Sequence, residues 1–157
     1  MIHYISLRVS AQATEDPKKV RSAIGLFLPP AEDESKLKGS DIISEYVTSG
    51  YYGNKIILME AELHKKKHTQ YVIDLIRQRL GKQEMLQLVK QVHLRVDDDC
   101  NLYIRFNKQQ AFQGKLVMTN TSDVVLLRIK LKAYPAKYER AIEVARTIFD
   151  TEDRSWV

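Results

Sequence analysis

The sequence predicts an α+β protein, with a single antiparallel or mixed sheet and helices packed on one face. Three observations predict it. First, several short runs alternate apolar and polar residues with period two, so each has one face for a core. Leu102, Ile104 and Phe106 oppose Tyr103 and Arg105, and Val125, Leu127, Ile129 and Leu131 oppose Leu126, Arg128, Lys130 and Lys132. Second, four stretches carry apolar residues at helical spacing. Third, several strand-like runs follow one another directly, which suits antiparallel pairing. At 157 residues the chain fits one domain spanning 1–157.

Taken in order, Ile2 to Ala13 reads as a first strand, with Ile5, Leu7 and Val9 on its apolar face and Tyr4, Ser6, Arg8 and Ser10 on the other. Asp16 and Pro17 form a helix start, since Asp caps well and Pro suits the first helical position. Val20, Ala23, Ile24, Phe27 and Leu28 follow at helical spacing, and Pro29 and Pro30 end the helix. Ala31 to Ser40 is polar and acidic and reads as an exposed loop. Ile42 to Ser49 and Lys55 to Leu63 read as strands joined by a tight GYYGN hairpin at 50–54. His64 to Leu80 is a predicted helix, broken at Gly81, and Glu84 to Val92 another. Asp97 to Asn101 is a turn into the strand from Leu102. Lys108 to Gln113 is a short helical or bulged connection, and Gly114 to Thr119 a further short strand. Asn120 to Asp123 turns into the last strand, and after Pro135 a helix places Tyr138, Ala141, Ile142, Ala145, Ile148 and Phe149 on one stripe. If the helices cover the apolar face, the other face is open and Tyr4, Arg8, Tyr103, Arg105, Arg128, Lys130 and Lys132 share it.

Charge is concentrated in the second half. From Cys100 to Tyr138, seven basic residues less one acidic (Asp123) leave a local net of +6, against +5 for the whole chain. Such a field concerns partners and not fold. Lysine and arginine stems also cover apolar surface on solvated strands. The pairing of tyrosine with arginine on the same face favours nucleic acid, because rings stack on bases while cations hold phosphates. No apolar run approaches the roughly 20 residues that span a bilayer, and the N-terminus does not have the pattern of a signal peptide. No membrane association is therefore expected. Cys100 is the single cysteine, so neither an intrachain disulfide nor a thiolate zinc site is available, and a reducing, cytoplasmic setting is expected.

Motifs for catalysis or metal binding fail on inspection. His64 and His68 have i, i+4 spacing, but no glutamate follows the first histidine and Lys65, Lys66 and Lys67 lie between them. Those lysines form a secondary basic patch. Asp97 to Asn101 resembles the opening of a calcium loop, yet Leu102 stands where glycine is needed and Lys108 where glutamate is needed. Phosphate-loop, dinucleotide and nucleophile-elbow patterns are missing. No enzyme activity, metal or cofactor is expected.

Three segments carry a family resemblance: ISLRVSAQATEDPKKV at 5–20, GYYGNKIILMEAELHKKK at 50–67, and VDDDCNLYIRFNKQQAFQGKL with LRIKLKAYPAK between 96 and 137. Together they resemble the archaeal RNA-binding protein family described as a predicted exosome subunit. Lys55 stands where that pattern has proline. The resemblance implies a fold similar to the ribosomal protein that holds 5S ribosomal RNA, RNA binding without catalysis, and association with exosome or ribosome-related proteins. By matching motif it carries over Tyr103, Arg105, Lys108, Gln109, Lys130, Lys132, Tyr134 and Lys137 as RNA-binding positions. With the open-face residues Tyr4, Arg8 and Arg128, these form the expected interface. A second reading makes the same face a docking surface for an acidic protein partner, and a third pairs two copies of the chain through an exposed sheet edge.

Overall fold

A computed structural model describes residues 1–30, 43–50 and 52–150. The expected loop at 31–40, the expected strand start at Ile42, Tyr51 of the hairpin and the tail from 151 lie outside the described residues. Five strands and six helices follow in the order β1 (Ile2–Ala11), α1 (Pro17–Gly25), β2 (Ser44–Ser49), β3 (Lys55–Leu63), α2 (Lys66–Arg79), α3 (Lys82–Lys90), α4 (Val92–Arg95), β4 (Asn101–Asn107), α5 (Lys108–Phe112), β5 (Val124–Leu131) and α6 (Tyr138–Phe149). The strands form one sheet in the order β2-β3-β1-β5-β4. Every neighbouring pair is antiparallel, so the sheet is antiparallel and not mixed.

Register sets which side chains meet. On the core face, Ala61, Leu7, Leu127 and Ile104 form one row across four strands, and Leu63, Ile5, Ile129 and Leu102 form the next. All eight are buried, and each large aliphatic side chain contributes about 1.5–3 kcal/mol by leaving water. The helices cover this face. Asp16 caps α1 by accepting the Lys18 amide at 3.0 Å, and Pro17 occupies the first turn. Val20, Ala23 and Ile24 then point inward, and Phe27 meets Phe106 of β4 with ring centroids 5.4 Å apart. Val72, Ile73 and Ile76 of α2, Met85 and Leu88 of α3, and Ala141, Ala145 and Phe149 of α6 complete the core.

The boundaries differ from expectation where side chains compete with the ladder. β1 stops at Ala11 because the Gln12 amide is taken by the Glu15 carboxylate at 2.9 Å and the Glu15 amide returns to the Gln12 carbonyl at 3.0 Å. The strand expected at Gly114–Thr119 does not form. That segment makes a single bridge, Met118 to Phe106, and two backbone bonds (Asn107 N to Val117 O at 2.8 Å, Thr119 N to Arg105 O at 3.0 Å). It thereby covers part of the β4 edge. The helix expected from His64 begins at Lys66, and the one expected at Glu84–Val92 spans Lys82–Lys90, with the short α4 after it. The GYYGN hairpin closes through Gly50 N to Asn54 O at 2.7 Å, with Gly53 at φ +80°, a backbone shape that glycine adopts without strain.

Candidate nucleic-acid interface

The second face of the sheet lies opposite the helices. Tyr4, Ser6, Arg8 and Ser10 of β1, Leu126, Arg128 and Lys130 of β5, and Tyr103 and Arg105 of β4 alternate with buried neighbours and therefore lie on it. Cross-strand pairing arranges them in rows. Glu62, Ser6, Arg128 and Tyr103 form one, and Glu60, Arg8, Leu126 and Arg105 the next. Tyr4 pairs with Lys130, which pairs with Asn101. The structure thus brings together six of the expected residues on one surface: Tyr4, Arg8, Tyr103, Arg105, Arg128 and Lys130.

The face is not uniformly cationic. Glu60 and Glu62 of β3 occupy it at the β3 side, and Arg8 is bound to Glu60 at 2.8 Å. The strand parity of Glu60 and Glu62 is readable in the sequence, where each alternates with the inward-facing Met59, Ala61 and Leu63. The β5–β4 half is different. Arg105 donates to the Thr121 carbonyl at 3.4 Å, Lys130 donates to the Asp99 carbonyl, and Arg128 lies with its guanidinium carbon 5.9 Å from the Tyr4 ring centre. Among the described residues none of these three forms an ion pair with a carboxylate, and the Arg128 Nε has no acceptor. Backbone carbonyls orient Arg105 and Lys130, and the Tyr4 ring and Tyr103 hydroxyl orient Arg128, without neutralising them.

Tyr103 is half-buried, and its phenol donates to Asp97 Oδ2 at 3.1 Å. Burial raises its pKa, and the Asp97 bond raises it further. Asp97 organises the turn before β4. It accepts the Asp99 and Asn101 amides at 3.0 and 2.9 Å and the Asn101 side-chain amide at 3.2 Å. Burial pushes its carboxyl upward, but these bonds outweigh burial and leave its pKa below the usual 3.8. The turn also needs Cys100 at φ +64°, in the left-handed region that costs a side-chain-bearing residue.

The remaining expected positions lie elsewhere. Lys132 follows β5, with its amide on the Met1 carbonyl, and it is exposed, as are Tyr134 and Lys137 in the connection to α6. Lys65, Lys66 and Lys67 are exposed where β3 passes into α2. His64 precedes that helix and packs on Tyr4, ring centres 5.1 Å apart, so the two histidines do not share a helix face. The His68 pKa is lowered by burial and then by Lys65 and Lys67. Because Tyr4 pairs with Lys130, the basic groups of 65–67 and 130–132 gather at one end of the open face.

Lys108 corrects the expectation of a surface phosphate contact. Its side chain is 3% exposed, and Nζ donates to the Ser10 carbonyl at 2.9 Å, Glu15 Oε1 at 2.8 Å and Asp123 Oδ1 at 2.7 Å. All three ammonium protons are used, so Lys108 ties β1, the approach to α1 and the approach to β5 together. Gln109 is exposed beside it, 3.5 Å from Glu15. Neither belongs to the open face. Tyr46 of β2, 54% exposed and on the open-face parity opposite Leu58, is an aromatic that the sequence reading missed.

An antiparallel α+β sheet backed by helices on one face, and holding on the other Arg105, Arg128 and Lys130 without carboxylate partners among the described residues, is the arrangement of a protein suited to a polyanion. Comparison with known proteins makes the class specific. The family model described as RNA binding matches residues 4–131, and the chain belongs to this RNA-binding family. The RNA-binding protein PAB1135 of Pyrococcus abyssi is 32% identical over 152 residues, 96% of each chain. The crystal structure of protein AF2318 from Archaeglobus fulgidus superimposes with a TM-score of 0.79 at 28% identity, over 94% of this chain and 99% of that one. Mth689, a DUF54 protein from Methanothermobacter thermautotrophicus, gives 0.73 at 29% identity, over 95% and 98%.

Proposed function

We propose that this protein binds RNA through the open face of its sheet and acts without catalysis, as an accessory factor in RNA processing by the exosome or in ribosomal RNA metabolism. The observation that carries the binding mode is the state of Arg105, Arg128 and Lys130, which are held on one face by backbone and ring contacts and, among the described residues, form no ion pair with a carboxylate. Phosphate is the partner such groups lack, and neutralising phosphates releases condensed counterions. Lys132, Lys137 and the Lys65–Lys67 patch extend the positive path at the end of the sheet, and Tyr103 offers a ring whose phenol is already anchored by Asp97. The accessory role in RNA processing rests on the family resemblance and on the lack of a catalytic constellation in the sequence.

The test is binding by fluorescence anisotropy of a structured RNA, a single-stranded RNA, a matched DNA and polyglutamate, in low salt. RNA should bind ahead of polyglutamate by well over tenfold. Preferential binding of polyglutamate would favour a docking surface for acidic proteins and overturn the RNA reading.

A further inference from the structure

The acidic end of the open face is at odds with a surface that only tracks phosphates, because carboxylates repel them. It also borders a concavity of about 420 Å³ lined by Ser6, Arg8, Tyr46, Glu62, Tyr103 and Arg128, within the usual size of small-ligand sites. The concavity exists because Ser6 places a short hydroxymethyl group at the centre of a row of long side chains. Its cross-strand neighbours are Glu62 on β3 and Arg128 on β5. Those two stand about 9.6 Å apart, twice the inter-strand spacing of roughly 4.8 Å. An acidic and a basic residue therefore flank Ser6 with a backbone separation wide enough to admit a planar ring between their side chains.

We propose that this concavity takes one unpaired guanine of a single-stranded RNA segment, a reading that rests on the RNA-binding function above and names the ligand of one part of that face. Bases splayed from single strands are read on their hydrogen-bonding edges. Guanine is the standard base that presents two adjacent donors, N1–H and N2–H, to a carboxylate while offering O6 and N7 to a guanidinium. The second pairing is a common specific arginine contact to a base. Glu60 is already engaged by Arg8 at 2.8 Å, which leaves Glu62, whose ion-pair neighbour is His64 at 3.5 Å, as the acceptor. Arg128, whose guanidinium lies beside the Tyr4 ring and within hydrogen-bonding reach of the Tyr103 hydroxyl, supplies the donors through its terminal nitrogens. Tyr46, more than half exposed, lines the same concavity from β2. The face then divides its labour: Arg105 and Lys130 hold the backbone, while Glu62 of β3 and Arg128 of β5, on either side of Ser6, read one base.

The experiment compares oligouridine strands carrying a single guanine, inosine, adenine or cytosine, and uridine throughout, by anisotropy. The proteins are the wild type, Glu62→Gln, Ser6→Phe (which fills the floor) and Arg105→Ala/Lys130→Ala. The wild type is expected to prefer the guanine strand about tenfold over adenine and cytosine, within the range of a good bidentate contact. Inosine, lacking the N2 amino group, falls between. Glu62→Gln and Ser6→Phe reduce the preference below about twofold without weakening the all-uridine strand. The sheet-face double variant weakens every strand alike and keeps the preference. Wild-type binding without base preference, or a preference that survives Glu62→Gln, overturns the guanine site and leaves the phosphate face standing. No RNA binding by the wild type overturns both.

Discussion

Replacing Lys108 by methionine separates two roles that the sequence could not distinguish. The ammonium is buried and makes three charge-assisted bonds, to Ser10, Glu15 and Asp123. Each such bond is worth about 1.5–3 kcal/mol, but burying the ammonium cancels much of the sum. Methionine keeps most of the apolar stem and removes the desolvated charge. The Asp123 side chain, 56% exposed, returns to water at little cost. The Glu15 side chain, 21% exposed, is poorly rehydrated, and the Ser10 carbonyl loses a donor. The balance is a loss of about 2 kcal/mol, dominated by those two acceptors. For a domain of this size that lowers Tm by about 4–8 °C. Urea denaturation with thermal melts checks it, with RNA affinity measured well below the melt. The expected result is lower stability with unchanged affinity and unchanged salt slope. Unchanged stability with weakened RNA binding would refute the assignment of Lys108 as an internal tie.

Three further outcomes follow from local structure. Asp16→Ala removes the cap of α1 and is expected to cost about 1 kcal/mol by urea denaturation. Asp97→Ala removes four hydrogen bonds from the turn before β4 and is expected to cost about 2 kcal/mol at neutral pH. Because the folded pKa of Asp97 lies below the ordinary 3.8, its contribution is present above 3.8 and is lost as pH falls through the folded value; the gap between wild type and variant in urea midpoint should therefore narrow in strong acid. Cys100→Val forces a branched side chain into a φ of +64° and is expected to cost about 2 kcal/mol, whereas Cys100→Gly relieves the backbone, loses a small buried group, and stays within about 1 kcal/mol of wild type.

Period-two alternation located β1, β4 and β5 and their inward faces, because each strand has one face in the core and its residue types record that directly. The helices were legible for the same reason, down to the Asp16–Pro17 start. What stayed hidden depends on distant chain segments meeting. The sequence contains no sign that Lys108 would meet Glu15 and Asp123, and a lysine in a basic run looks like a surface cation until those partners arrive. The strand expected at Gly114–Thr119 had a suitable pattern but packs along β4 through one bridge only. The placement of β1 in the middle of the sheet brought Glu60 and Glu62 onto the open face next to the arginines. Their alternation was readable, while their proximity to Arg8 and Arg128 came from the register. The six open-face positions were legible because they follow from strand parity alone.

In the proposed binding mode Arg105 and Lys130 hold RNA phosphates from the open face. The direct measurement is RNA affinity across a salt series for the wild type and the Arg105→Ala/Lys130→Ala variant. Each phosphate contact contributes about 0.7–0.9 to the slope of log affinity against log salt. The slope should be shallower by about 1.5 in the variant, with affinity weakened evenly across sequences. Equal slopes and equal affinities for the two proteins would contradict it.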